Sequence, residues 1–318
     1  MTFNSTDAGA SPAFSFVGRK PVGRFAPSPT GPLHAGSLLA AVGSYLDART
    51  NDAGWLVRIE DLDTPRVIAG CADQMLRTLE AFGFEWDGPV VYQSQRRDAY
   101  ESALQALTAA GRTFRCSCSR KDLSGNGAEE PHGYPGTCRL GPTRDGPTAL
   151  RFRVGDGRLC FDDLYLGLQC HELTRCGDFV VRRRDGLVSY QLAVVVDDAW
   201  QQVTRVVRGA DLLASTPWQM DLQDALGLPR PIYGHLPLLV EKDGAKLSKS
   251  RRAVPLDPSL APQALTSTLT HLSQAPPPDL AHSSIKDVWK WAVAHWKPQL
   301  LAGATEARLS APGDTKQK

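Results

Sequence analysis

The sequence predicts an α/β protein: a parallel sheet with crossover helices, interrupted by a cysteine-bearing insertion and followed by a small helical region. Three observations predict it. Short apolar runs alternate with helical stripes through the first third of the chain, the grammar of strand–helix–strand units. The alternation stops between Thr113 and Pro147, a stretch full of Cys, Gly and Pro, and then resumes. Beyond Arg252 a Pro-rich stretch leads into one amphipathic helix.

Taken in order, Met1 to Lys20 is rich in Ser, Gly, Ala and Thr and reads as a loose arm. Val22 to Phe25 is a short strand running into a proline-bracketed loop. From Gly36 the period changes, and Leu38, Leu39, Val42, Tyr45 and Leu46 form one face of a helix. Trp55 to Ile59 reads as a strand. Ala72, Met75, Leu76 and Leu79 make a second helical stripe, and Tyr100, Ala103, Leu104 and Leu107 a third. After the insertion Leu150, Phe152 and Val154 alternate with Arg151 and Arg153, a half-buried strand. Apolar runs return at Phe179 to Val181 and Leu192 to Val196. Thr216-Pro217 is a good cap and first-turn pair for a helix striped by Trp218, Leu222, Ala225 and Leu226, and Gly227 stops it. His235 to Val240 is a late strand. The last helix carries Ile285, Val288, Trp289, Ala292 and Trp296 on one side. The tail from Gly303 to Lys318 reads as loose.

Composition narrows the class. The chain has 318 residues, 42% of them hydrophobic, enough core for roughly two domains. Its formal net charge is +2, which excludes a chain basic overall and leaves room for a local basic face. No apolar run approaches the ~18 residues that span a bilayer, and the N-terminus lacks a basic region followed by an apolar one. Membrane association is not expected, and the compartment expected is the cytoplasm. Seven Cys is an odd count in a long chain. A disulfide framework is therefore not expected, and metal ligation is.

Two loops carry chemistry. Arg24-Phe25-Ala26-Pro27-Ser28-Pro29-Thr30-Gly31 leads through Leu33-His34-Ala35-Gly36 into a helix start. Unpaired N–H groups and the dipole at such a start favour an anion. His34 is placed to hydrogen-bond a phosphate, and Gly36 would let a flat ring approach the backbone; the alternative is a turn with a capping His. Far downstream, Lys246-Leu247-Ser248-Lys249-Ser250 places two lysines around a serine, able to neutralise a transferring phosphoryl group. Taken alone it also reads as a solvated basic loop.

The two loops, in that order, resemble the HIGH and KMSKS motifs of class I aminoacyl-tRNA synthetases. The likeness is wider still. Gly23 to Gly36, Arg58-Ile59-Glu60-Asp61-Leu62-Asp63, Tyr190 to Asp198 and Val207-Arg208-Gly209 resemble glutamyl-tRNA synthetase. The resemblance spans roughly residues 22 to 252. It implies the Rossmann-like parallel sheet of class I synthetases, with ATP and L-glutamate as substrates and Mg2+ accompanying ATP. It implies glutamate contacts at Arg24, Ala26, Ser28, Glu60, Tyr190 and Arg208. ATP contacts fall on Pro27, His34, Gly36 and Lys249, and the catalytic roles on His34, Lys246 and Lys249. The chemistry agrees: glutamate needs cations for its carboxylates and an anion for its ammonium.

Cys116-x-Cys118 and Cys138 offer three soft ligands in the insertion, and a structural zinc takes four. By residue type alone His132 is the fourth. The resemblance to the short glutamyl-queuosine branch, with its Cys-x-Cys and Tyr-x-x-x-Cys, implies Tyr134 instead. One structural Zn2+ is expected. Cys71, Cys160, Cys170 and Cys176 lack such spacing and read as ordinary small residues.

Little chain follows Ser250, so no anticodon-reading helical region is expected. Tyr190-Gln191 also resembles the short branch. The resemblance then implies activation of glutamate without tRNA, and transfer to queuosine at the wobble position of tRNA(Asp). The alternatives are a truncated synthetase charging a tRNA 3′ end and an inactive glutamate- or tRNA-binding paralogue. Arg182, Arg183, Arg184, Arg205, Arg251 and Arg252 are candidates for the tRNA backbone, and a monomer is expected. The organisation expected is an arm at 1–20, a catalytic domain at 21–112 and 149–240, a zinc-binding insertion at 113–148, a lysine loop and helical region at 241–302, and a flexible tail at 303–318.

Overall fold

The computed structural model describes residues 20–119, 122–123, 134–240 and 254–308. Strands β1 (Val22–Phe25), β2 (Gly54–Ile59) and β3 (Val91–Tyr92) form a parallel sheet in the order β1-β2-β3. Strands β9 (Arg205–Gly209) and β10 (Ile232–Leu236) form a parallel pair beside it. β9 lies along β1, where Thr204 N donates to Val22 O at 2.9 Å.

Helix α1 (Ala35–Thr50) crosses from β1 to β2. It is apolar on nearly every side, with Leu38, Leu39, Ala41, Val42, Leu46 and Ala48 all buried, as a helix enclosed by other elements must be. It packs on β1 and β9 and, across the molecule, on α6 (Ala261–His271) and α7 (Ile285–His295). Gly43 is the point of closest approach, since a Cβ there would sit 2.5 Å from Leu236 Cδ1. Helices α2 (Cys71–Ala81) and α3 (Arg97–Ala109) follow β2 and β3.

One core joins α1, α2 and the C-terminal helices. Another joins α3, α4 (Tyr190–Trp200) and α5 (Thr216–Leu226) to β5 (Ala149–Phe152), β6 (Arg158–Asp163) and β8 (Phe179–Arg182). β5 pairs antiparallel with both β4 (Thr113–Cys116) and β8, and β6 forms a hairpin with β7 (Gly167–Glu172). Among the described residues no helix is long and apolar enough to cross a membrane.

Several expectations change. Leu192 to Val196 lies within α4, where Leu192, Val194 and Val195 face the second core; a short apolar run does not distinguish a buried helix from a strand. Ser215 stands at the cap of α5, one residue before Thr216, whose hydroxyl is used elsewhere. The late strand is two strands, β10 and β11 (Leu238–Val240), separated by Pro237. Helix α6 has no counterpart among the predicted elements. The tail from Gly303 is not wholly loose: β12 (Glu306–Arg308) pairs in parallel with β11, held by main-chain bonds that composition does not reveal. Cys160 and Cys170 are not ordinary small residues but a disulfide. They stand directly opposite in the β6–β7 ladder, 4.2 Å apart at Cα. That juxtaposition follows from the hairpin, which sequence spacing alone did not indicate.

Candidate active site

A cavity of about 860 Å³ opens where β1, β2 and β9 end and α1 begins. Ligands bind at this end of the strands in open α/β sheets. Its lining includes Arg24, Ala26, Pro27, Ser28, His34, Gly36, Glu60, Tyr190 and Arg208. Every expected glutamate contact is thus brought to one cavity, with three of the four expected ATP contacts. Lys246 and Lys249, like His132, Arg251 and Arg252, lie outside the described residues.

At the helix start His34 caps α1. Its Nδ1 accepts from Gly36 N at 3.1 Å and Ser37 N at 3.4 Å, while Ser37 Oγ accepts from His34 N at 2.7 Å, a reciprocal cap. Burial pushes the imidazole below its usual pKa. A neutral ring whose Nδ1 accepts must carry its proton on Nε2. Capping therefore fixes the tautomer and leaves a donor facing the cavity, so the capping seen for His34 is compatible with the phosphate-binding reading. A Cβ on Gly36 would meet His34 Cε1 at 3.0 Å. The glycine's nearest purpose is to let that ring fold back.

Deeper in, two arginines share one carboxylate. Asp198 Oδ1 accepts from Arg58 Nη1 at 2.7 Å and from Arg24 Nε at 3.3 Å, and Arg58 Nη2 reaches Glu60 at 3.3 Å. Arg58 is fully buried. Burial opposes its charge, but Asp198 and Glu60 hold its pKa up. Burial would raise Asp198, yet Arg24 and Arg58 keep it below the usual carboxylate range. Glu60 goes the other way: burial pushes it up against the pull of Arg58 and Arg24. A substrate ammonium beside it would favour its ionised form.

Arg208 differs. It is 4% exposed, yet among the described residues its guanidinium meets only neutral acceptors. These are Gln219 Oε1 at 2.8 Å, Thr216 Oγ1 at 2.9 Å, Tyr190 Oη and His235 Nε2 at 3.3 Å, and Leu212 O at 3.4 Å. Gln219 is in turn held by Gln191 at 2.8 Å. A buried guanidinium without an anion is costly, and here it borders an open cavity. The sequence reading assigned nothing to Thr216 hydroxyl, Gln219, His235 or Asp198. Their one sequence signal is a polar residue inside an otherwise apolar stripe, which is weak.

A separate corner gathers three thiols. Sγ atoms of Cys116, Cys118 and Cys138 lie within 4.8 Å of one another. Tyr134 Oη stands 3.3 Å from Cys116 Sγ and 3.6 Å from Cys118 Sγ, and accepts from Cys138 N at 2.8 Å. Burial pushes the Cys138 thiol up, but hydrogen bonds from Tyr134 and the backbone of Ser117 and Thr143 bring it down to about 5. This cluster can bind a metal, since thiolates are the ligating form.

The proposed tRNA arginines are less free than the sequence suggests. Arg205 is held by both oxygens of Asp47 at 2.7 Å with its side chain largely buried, so it is a structural residue. Arg182 pairs with Glu101, and Arg183 with Asp63 and Asp185. Arg184 donates to Ser117 O.

A cavity at the strand ends, floored by cations and opened by a His-capped helix, defines a ligase of the aminoacyl-tRNA synthetase class once set beside known proteins. Residues 21–260 match the model for class I tRNA synthetases (E and Q), catalytic domain. A glutamate–tRNA synthetase from Elizabethkingia anophelis shares the fold, with a TM-score of 0.76 at 24% identity over 92% of this chain and 68% of that one. Among curated proteins, glutamyl-Q tRNA(Asp) synthetase of Dechloromonas aromatica is 54% identical over 86% of this chain and 93% of its own length. That of Aromatoleum aromaticum is 51% identical over 92% and 93%. The chain belongs to the glutamyl-Q tRNA(Asp) synthetase family of class I tRNA synthetases.

Proposed function

We propose that the protein activates L-glutamate with ATP in the absence of tRNA and then transfers the glutamyl group to queuosine at the wobble position of tRNA(Asp), in the cytoplasm and as a monomer. In the first step a carboxylate oxygen of glutamate attacks the α-phosphorus of ATP. Glutamyl-adenylate forms and pyrophosphate leaves. The observation that carries this reading is Arg208, a buried cation at the edge of the cavity that meets no anion among the described residues. The side-chain carboxylate of glutamate supplies that anion, with Arg24 beside it. Glu60 takes the ammonium, Tyr190 offers its hydroxyl, and Ala26 and Ser28 wall the amino acid. The Nε2–H of His34 donates to the triphosphate, and Pro27 and Gly36 border the nucleotide. Lys246 and Lys249 neutralise the phosphoryl group in the transition state, with Mg2+ accompanying ATP.

A second cavity, about 680 Å³, shares Ser28, Glu60, Arg66 and Tyr190 with the first and reaches Arg183, Arg184, Cys118 and Ser119. It is where the acceptor nucleoside would approach, bordered by the 113–148 insertion. Cys116, Cys118, Tyr134 and Cys138 would hold one structural Zn2+ there, four ligands being the number such a site takes. Cys138→Ser should release that zinc and lower the melting temperature; stoichiometric zinc retained by the variant would remove Cys138 from the ligand set.

The reading is tested with ATP, labelled glutamate and two tRNA pools, one with queuosine and one without. Label confined to the first pool is expected; equal label in both would mean charging of the 3′ end instead. Lys249→Ala should slow pyrophosphate exchange about 100- to 1,000-fold, the scale of one lost transition-state donor, with glutamate binding little changed. Equal loss of both would withdraw the role of Lys249.

A further inference from the structure

Buried behind Arg208 is a histidine–aspartate hydrogen-bonded pair that the activation chemistry does not use. His235, on β10, and Asp163, at the end of β6, are both shielded from solvent. Asp163 Oδ2 stands 2.5 Å from His235 Nδ1, and its Oδ1 accepts from the backbone N–H of Tyr165, Leu166 and His235 at 3.0 to 3.2 Å. Against burial, His235 and the backbone donors hold Asp163 below the usual carboxylate pKa, so it is ionised and can only accept. Nδ1 therefore carries the proton and donates to Oδ2. His235 Nε2 is then a bare acceptor, 3.3 Å from Arg208 Nε and 3.1 Å from the Thr216 hydroxyl.

We infer that Asp163 and His235 are positioning residues for glutamate selection: Asp163 fixes the imidazole tautomer, and the unprotonated Nε2 of His235 orients the Arg208 fork toward the substrate carboxylate. The inference rests on the proposed role of Arg208. It assigns neither residue any contact with substrate.

The arrangement has an acid limit. The groups facing the ring are Asp163 from β6, Arg208 from β9, Arg24 from β1, Thr216 from α5 and Tyr233 from β10 itself, stacked 6.3 Å away. Burial and Arg208 lower the pKa of His235 and Asp163 raises it, and the balance lies below the ordinary value. The ring is therefore neutral at neutral pH and gains a proton only at a pH below the ordinary histidine value. Protonated Nε2 would point a donor at Arg208 Nε–H, and that bond would be lost.

Two variants of the full chain separate this role from a structural one. Asp163→Asn must keep its carbonyl oxygen on the three backbone donors, so its NH2 faces Nδ1. The ring then takes the opposite tautomer, with Nε2–H against Arg208. Glutamate KM in pyrophosphate exchange should rise about tenfold or more, the scale of one lost bond to a charged group, while ATP KM stays near the wild-type value. His235→Gln places a carbonyl oxygen near Nε2 and cannot titrate. It should keep most of the glutamate affinity at neutral pH and flatten the part of the acid limb that His235 causes, leaving any part due to Glu60.

Glutamate binding by calorimetry across acid to neutral pH reads the same quantity without turnover, and thermal melts report folding. Asp163→Asn weakening glutamate, with His235→Gln keeping most of the affinity and losing the part of the acid limb that His235 causes, supports the inference. If wild type binds glutamate and His235→Gln shows the wild-type pH profile, the inference is overturned alone. A wild-type protein that takes up no glutamate overturns it together with the proposed function.

Discussion

The cavity has two charged ends, and they are built in opposite ways. At one end Arg24 and Arg58 are met by Asp198 and Glu60. At the other, Arg208 is as well buried as Arg24 but is held by an amide, two hydroxyls, an imidazole and a backbone carbonyl. The first end carries its own carboxylates without substrate. The second becomes neutral when an anion arrives. Residue type does not distinguish Arg58, whose charge is met within the protein, from Arg208, whose charge is left for a ligand; the charge of their partners does.

Removing the internal anion should have the largest effect. Asp198→Asn leaves two buried guanidinium groups with one carboxylate, and stripping one partner from a buried pair costs about 3–5 kcal/mol. We expect a large fall in unfolding free energy by denaturant titration; a loss under about 1 kcal/mol, the scale of exposed pairs, would mean that Arg58 does not depend on Asp198. The same end has a pH signature. The folded pKa of Asp198 is lowered, so its contribution is full above the unfolded carboxylate value. It is lost as pH falls through the folded one. Stability of the wild type should therefore decline in acid, and Asp198→Asn should show less of that decline.

At the other end, Gln219→Ala removes one neutral acceptor from Arg208. Glutamate KM should rise roughly three- to tenfold, the worth of one hydrogen bond to a charged group, with stability changed less than in Asp198→Asn. An unchanged KM would show that Arg208 does not need Gln219 for its placement. Ser37→Ala, at the helix start, should be the smallest change. It deletes half of the reciprocal cap, about 1 kcal/mol, and should raise ATP KM only slightly. A loss as large as that for Gln219→Ala would mean that the cap does more than fix the His34 ring.

This comparison also marks what was legible in the sequence. The period change at Gly36 marked the start of the helix packed behind the cavity, and the motif likeness gathered Arg24, Glu60, Tyr190 and Arg208, which the fold brings together. The cysteine corner was legible from spacing, although only Tyr134, not His132, falls among the described residues. What was not legible depends on long-range pairing. Asp163 and His235 are separated by 72 residues and meet only because β6 packs on β10. The Cys160–Cys170 bond depends on hairpin register. Arg205 read as a surface cation because Asp47, its partner, sits on α1. The apolar run in α4 read ambiguously because burial on most sides erases periodicity.

We propose that the charge of Arg208, which meets no anion among the described residues, selects glutamate. It is tested most directly by calorimetric binding of L-glutamate and L-glutamine to the wild type and to Arg208→Gln. The account predicts that the wild type prefers glutamate by on the order of 100-fold, as expected when a buried charge would otherwise lack its partner. Arg208→Gln should lose most of that preference while remaining folded. Wild-type preference for glutamate retained in full by Arg208→Gln would contradict it.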